Sequence, residues 1–270
     1  MSKPTPQEIL HWNPKKWSDI VGNMEIIQLW MGFLIHGICN ACFTGPSRTG
    51  KTRAITLGIK ALCCTNRTEE LNPCGMCWTC KALDGERHCH SGTFVGLTGG
   101  VHTFKAINCE TVTEKELMDL HLEVDLDDPA TILYLDEVAA LGRRGLERLI
   151  LKDSDEPKST WIASAVKVKP IAKPKGEPPD REFLSVPMQG RFAVYGGTTV
   201  PSEAELTQWI KDRSQEWEII IEDEELSIPL MIYLSDLRVG LVIHIFSAAA
   251  SRGRRIDPDW LSGLNIGPQD

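Results

Sequence analysis

Two sets of residues able to do chemistry lie in one stretch, "FTGPSRTGKTRAITLGIKALCCTNRTEELNPCGMCWTC" (43–80). The first is Gly45-Pro46-Ser47-Arg48-Thr49-Gly50-Lys51-Thr52, which fits GxxxxGK[ST]. Glycines let such a loop turn its backbone N–H groups onto a phosphate, and a helix behind it adds its positive end. Lys51 then reaches the β and γ phosphates, and the Thr52 hydroxyl holds magnesium. The second set is Cys64, Cys74, Cys77 and Cys80, spaced C-x9-C-x2-C-x2-C. Four thiolates complete a tetrahedral zinc and leave no position open for a substrate, so the zinc is expected to be structural. Cys63 competes with Cys64 as first ligand. His88, Cys89 and His90 are alternatives, better read as exposed loop residues. Cys39, Cys42 and Cys109 read as core thiols.

A third group follows. In "TILYLDE" (131–137) an apolar run leads into Asp136 and Glu137. A carboxylate at the end of a central strand holds magnesium through water, and a neighbouring glutamate polarises an attacking water. With the phosphate loop about 85 residues earlier, the pair points to ATP binding and hydrolysis.

These groups need a scaffold of alternating strands and helices. "ACFTG" (41–45) reads as a strand entering the loop, and 51–64 as the helix after it. Residues 24–38 place Ile26, Ile27, Trp30, Leu34 and Ile38 near one helical face. Strands are expected at 102–108, 130–137 and 159–166. Helices are expected at 113–124, opened by a threonine cap with glutamate support, and at 142–153. Such alternation predicts a parallel sheet covered by helices. The lysine- and proline-rich stretch 167–183 reads as a loop. Helical patterns then occupy 202–213, roughly 223–235 and 237–251. The expected division is an α/β nucleotide-binding domain over 1–198, with the cysteine module at 64–80 inserted, and a helical lid domain over 199–270.

The 270 residues suffice for this, with 42% hydrophobic and 24% charged residues. The net charge of -8 does not suggest nucleic acid by bulk electrostatics, so DNA contacts would need a local patch. Arg143 and Arg144, and Lys167, Lys169, Lys173 and Lys175, are candidates, although a solvated helix face and loop is the better reading of each. No apolar run reaches the roughly 18 residues of a membrane span, and the N-terminus has no apolar signal core. The cysteine spacing follows metal rather than disulfide grammar, and a cytoplasmic setting is expected.

A phosphate loop, a helix ending in cysteine, and then "PCGMCWTC" resemble the gamma/tau subunits of the bacterial DNA polymerase III clamp loader, which are AAA+ ATPases. "NPKKWSDIVGN" (13–23), "GLERLILKDSDEP" (145–157), "WIASA" (161–165) and "SDLRVGLV" (235–242) are similar to further segments of that family. The resemblance implies ATP, Mg2+ and structural Zn2+. It implies that the backbone of Ile20, Val21 and Gly22 lies near the adenine and that Ser164 senses the γ-phosphate. It further implies that Arg238 of the lid touches ATP and that Arg191 acts as a finger on a neighbour's ATP. The implied partners are other AAA+ subunits, in a self or mixed ring, with a sliding clamp and primed or duplex DNA. The setting would be a bacterial or phage-infected cell.

The chain also departs from the family. Gly190-Arg191-Phe192 stands where the family has Ser-Arg-Cys. The glycine-rich 91–103 looks inserted, and 167–183 enlarged. No collar domain follows the lid, which suggests a phage or mobile-element loader, or a regulator of transposition or defence. A non-hydrolysing adaptor subunit is a different class, against which Lys51, Thr52, Asp136 and Glu137 speak. A phosphate-loop kinase would need neither the cysteine module nor the lid arginine.

Overall fold

A computed structural model describes residues 3–84, 92–95, 101–151, 158–166, 184 and 186–264. The chain opens with α1 (Pro6–Leu10), one 3-10 turn (Trp17–Asp19), α2 (Met24–His36), β1 (Ala41–Thr44) and α3 (Lys51–Cys63). It continues through α4 (Trp78–Ala82), β2 (Gly92–Val95), β3 (Val101–Asn108), α5 (Glu114–Glu123), β4 (Thr131–Asp136), α6 (Ala139–Arg143) and α7 (Glu147–Leu151). Then come β5 (Thr160–Ala165), α8 (Val186–Gln189), β6 (Val194–Gly197) and α9 (Glu203–Glu216). The last elements are β7 (Ile220–Ile221), α10 (Glu224–Ser235), α11 (Val239–Ser251), β8 (Arg255–Ile256) and α12 (Pro258–Ser262).

The main sheet has the order β2-β3-β4-β5-β1-β6. Five of its strands, β3 to β6 and β1, run parallel, and β2 is antiparallel at one edge. The central strands are apolar on both faces, as a sheet covered on both sides requires. Every residue of β4 is buried. Phe43, Tyr134 and Ile162 point into one core with α2 and α3. Cys42, Leu135 and Ala163 point into the other with helices 5 to 7 of the chain.

α5 begins where the capping box was expected: Thr113 and Glu116 satisfy each other's backbone N–H groups. The helix expected over 142–153 is broken instead. Gly145, at φ +68°, separates α6 from α7 and re-aims the chain. The glycine-rich stretch over 91–103 supplies β2, whose Phe94 is buried against the sheet.

A third core joins α9, α10 and α11. It also takes in Ile9 of α1, so the N-terminus packs among the C-terminal helices. Ser247 donates to the Pro6 carbonyl at 2.9 Å, and Trp12 stands edge-on to both Trp209 and Trp217. Arg53 of α3 donates to the Leu10 carbonyl at 3.2 Å and lies near the Trp12 ring.

Candidate functional site

The phosphate loop leaves β1, between β5 and the edge strand β6. Gly45 has φ +144°, and a Cβ there would fall 1.9 Å from Thr198 Oγ1, so only glycine fits. Gly50 has φ +92° and starts α3. The loop is held from both sides. Asn23 donates to the Thr49 carbonyl at 2.9 Å and accepts the Thr199 N–H at 3.2 Å. The Thr49 and Thr198 hydroxyls lie 3.0 Å apart. Gly240, at the start of α11, donates its N–H to the Arg48 carbonyl at 3.1 Å, so α11 touches the loop itself.

Lys51 is buried, and its ammonium donates to the Gly45 and Pro46 carbonyls at 2.7 and 2.8 Å. Burial pulls its pKa down, and the nearby Glu137 and Asp136 carboxylates oppose that fall. Glu137 shows the opposite pattern: burial pushes its carboxyl pKa up, and Lys51 holds it back.

The two acids leave the end of β4 in a fixed arrangement. Asp136 Oδ1 accepts hydroxyls from Tyr134 at 2.7 Å, Ser164 at 2.6 Å and Thr52 at 3.3 Å. The Glu137 N–H donates to Ser164 Oγ at 2.8 Å, and the Val138 N–H to the Ser164 carbonyl at 2.9 Å. Glu137 itself has φ +51°, a conformation uncommon outside glycine. Ser164 thus pins the turn that carries both acids.

Ile20, Val21, Ser47, Arg48, Thr49, Gly50, Lys51, Thr52, Asp136 and Glu137 all line one cleft of about 480 Å³. Leu10, Trp12, Pro14 and Ile243 add an apolar wall. Such a volume, with an apolar wall at one end and polar and charged groups converging at the other, suits a small-molecule ligand. Gly22, Gly45, Pro46, Ser164, Arg191 and Arg238 are not among the lining residues. Gly22 turns the chain at φ +64° against Pro201. The Ser164 hydroxyl is fully buried behind the acids. Arg238 caps α11 next to the cleft, with Nη2 3.3 Å from Asp236. Arg191 precedes β6, the edge strand beside β1.

Tyr134 and Asn23 were not singled out by sequence. Tyr134 sits in an apolar strand run and Asn23 in a loop, and nothing local marks either as a partner of the site.

The four cysteines converge, with ligand atoms all within 4.8 Å of one another. Cys74 and Cys80 sulfurs lie 4.0 Å apart, and Cys64 and Cys77 sulfurs 3.9 Å apart. Tetrahedral zinc with Zn–S bonds of about 2.3 Å separates its sulfurs by about 3.8 Å, so the set fits zinc. Backbone N–H groups already point at the sulfurs: Asn66 and Cys74 at Cys64, Met76 and Cys77 at Cys74, and Cys80 at Cys77. At Cys77 burial opposes the thiolate, but hydrogen bonds from Cys80 and Thr65 bring its pKa down to about 6. Cys64 is the residue in the cluster, while Cys63 is buried in the sheet core. His88, Cys89 and His90 lie outside the described residues.

Of the basic residues, Arg143 pairs with Glu110 at 3.5 Å and Arg144 donates to the Cys109 carbonyl at 3.2 Å. Lys167, Lys169, Lys173 and Lys175 lie outside the described residues. No helix among the described residues is long and apolar enough to cross a membrane.

A mostly parallel sheet with the GxxxxGKT loop between β1 and α3 gives a P-loop α/β fold with a helical C-terminal region. The solved structure of the Thermotoga maritima RuvB Holliday junction branch migration motor shares it, with a TM-score of 0.55. The match covers 94% of this chain and 72% of that one, at 13% sequence identity. Two mutant forms of that RuvB match at 14% identity, with TM-scores of 0.54 and 0.55. No family model and no curated protein matches the sequence.

Proposed function

We propose that this chain is an ATPase that binds MgATP in the cleft, hydrolyses it, and couples the cycle to assembly with other AAA+ subunits on DNA. The observation that carries this reading is the hydrogen-bonded series Thr52–Asp136–Ser164–Glu137 beside the phosphate loop. Thr52 and Asp136 offer two hard oxygen donors 3.3 Å apart, which suits magnesium. Bound magnesium neutralises charge on the β and γ phosphates. Lys51 sits at the phosphate end with its charge partly desolvated. Glu137 stands beside Lys51 and Asp136, where a carboxylate orients and polarises the attacking water. Ile20 and Val21, on the apolar wall, would face the base, with Gly22 turning the chain behind them. Zinc at Cys64, Cys74, Cys77 and Cys80 would tie down a segment too short for its own core.

The lid supports nucleotide-driven movement, because Gly240 bonds directly to the loop at Arg48. Arg238 reaches the phosphates once it leaves Asp236, and Arg191 serves a neighbour's site. The working units are residues 1–198 and the helical lid of 199–270, with α1 docked on the latter. The likeness to RuvB, a Holliday junction branch migration motor, supports action on DNA, while a ring and a cytoplasmic setting rest on the family resemblance of the sequence. Clamp loading rests on the family resemblance of the cysteine module, and a regulator of transposition or defence is the second reading. The test is phosphate release from ATP by the wild type, Lys51→Ala and Glu137→Gln, with and without primed or duplex DNA. The reading fails if wild-type release equals that of Glu137→Gln under every condition.

A further inference from the structure

Asn72 and Trp17 lie between the cysteine cluster and the cleft. The loop between Cys64 and Cys74 folds back onto the body of the protein. Asn72 is buried there, and its Oδ1 accepts the Trp17 backbone N–H at 2.8 Å. The Trp17 indole N–H donates to the Leu71 carbonyl at 3.1 Å. Leu71 is held at φ +60°, a conformation that needs support from its surroundings. Thr68 supplies that support: its carbonyl accepts the Leu71 N–H at 2.9 Å, and its hydroxyl accepts the Asn72 N–H at 3.1 Å.

Trp17 opens the 3-10 turn that ends at Asp19, and Asp19, Ile20 and Val21 line the cleft. The turn is closed by the Ile20 N–H on the Trp17 carbonyl at 3.1 Å. The chain leads from Cys74 back two residues to Asn72, and hydrogen bonds run on from Asn72 through Trp17 to the wall at Ile20. The phosphate loop has separate support, from Asn23, Thr198 and Gly240.

We propose that zinc at the four cysteines sets the position of this wall through Asn72 and Trp17, and so governs affinity for the nucleoside part of ATP rather than for its phosphates. The proposal rests on reading the cleft as an ATP site and the cysteines as a zinc site. Asn72 is a positioning residue, because it acts through Trp17 and lines no part of the cleft. Metal loss would free the loop from Cys64 to Cys74, and with it the acceptor that holds Trp17. This gives the adjacency of the two motifs in sequence a physical use: the knot grows from the end of the phosphate-loop helix and returns to brace the same ligand's other end.

The experiment is calorimetric titration of the full chain with MgATP and, separately, with magnesium and inorganic triphosphate. It compares the wild type, the same protein stripped of zinc by a chelator, Asn72→Ala and Trp17→Phe. A lost buried hydrogen bond predicts ATP binding weaker by about fivefold in Asn72→Ala and Trp17→Phe. Stripping zinc shifts it in the same direction. Triphosphate binding stays within about twofold throughout, on the same hydrogen-bond scale. Unchanged ATP affinity in Asn72→Ala, or in the zinc-stripped protein, overturns the proposal while leaving the ATP reading intact. Equal loss of both ligands also overturns it, since that marks a general role in folding. A wild type that binds neither ligand overturns the ATP reading itself.

Discussion

Ser164 donates its hydroxyl to Asp136 at 2.6 Å, and the same oxygen accepts the Glu137 N–H at 2.8 Å. One side chain of β5 thereby fixes the direction of both acids at the end of β4. Since the contact is to the acids and not to the cleft, its loss should act on turnover more than on binding. Ser164→Ala is expected to lower kcat about ten- to hundredfold and to change KM for ATP by less than about threefold. Steady-state phosphate release checks this. A raised KM with unchanged kcat would show that the hydroxyl serves binding instead.

Tyr134 adds a second buried hydroxyl on the same Asp136 oxygen. Tyr134→Phe keeps the ring in the sheet core and removes only that donor. Denaturant unfolding should show a loss of about 1 kcal/mol. Because Ser164 and Thr52 still reach the oxygen, turnover should fall less than in Ser164→Ala. No stability change would mean that the phenol contact is energetically idle.

Glu137 has a carboxyl whose pKa is raised by burial, with Lys51 opposing the rise. A raised folded-state pKa means that the folded protein holds this proton more tightly than the unfolded chain does. The associated stability is present below the unfolded pKa and is lost as pH rises through the folded one. Glu137→Gln, which stays neutral, should therefore be more stable than the wild type at neutral pH. The advantage should vanish as pH falls below the ordinary glutamate range. Thermal melts across pH would reveal this, and equal stability at every pH would contradict it. The acid limb of turnover should correspondingly lie above the ordinary glutamate range.

The sulfur cluster makes a prediction about metal. Cys77→Ser removes one ligand and the sulfur that the Cys80 N–H reaches. Elemental analysis should find the wild type carrying zinc and the variant without it, and the variant should melt at lower temperature. Retained zinc in Cys77→Ser would call for a different ligand set.

Much of the scaffold was legible because its signals are local. The phosphate loop, the apolar run before Asp136 and the Thr113–Glu116 capping box each declare themselves within a few residues. The hidden features are long-range. β2 exists because Phe94 and its neighbours pair with β3, and the glycines around them gave no strand period. α1 binds α11 across almost the whole chain length, a contact that no window of sequence contains. Tyr134 lies in an apolar strand run and Asn72 among loop residues, and each acts through a partner that only the fold supplies. Gly145 was visible, but its φ of +68°, which divides α6 from α7, was not.

The central claim is that the cleft holds MgATP poised for hydrolysis. Native mass spectrometry of Glu137→Gln, with and without MgATP, tests it most directly. The account predicts a zinc-carrying chain that retains nucleotide and magnesium and forms larger assemblies only when they are present. A chain that carries zinc yet gains no nucleotide mass at saturating MgATP would contradict it.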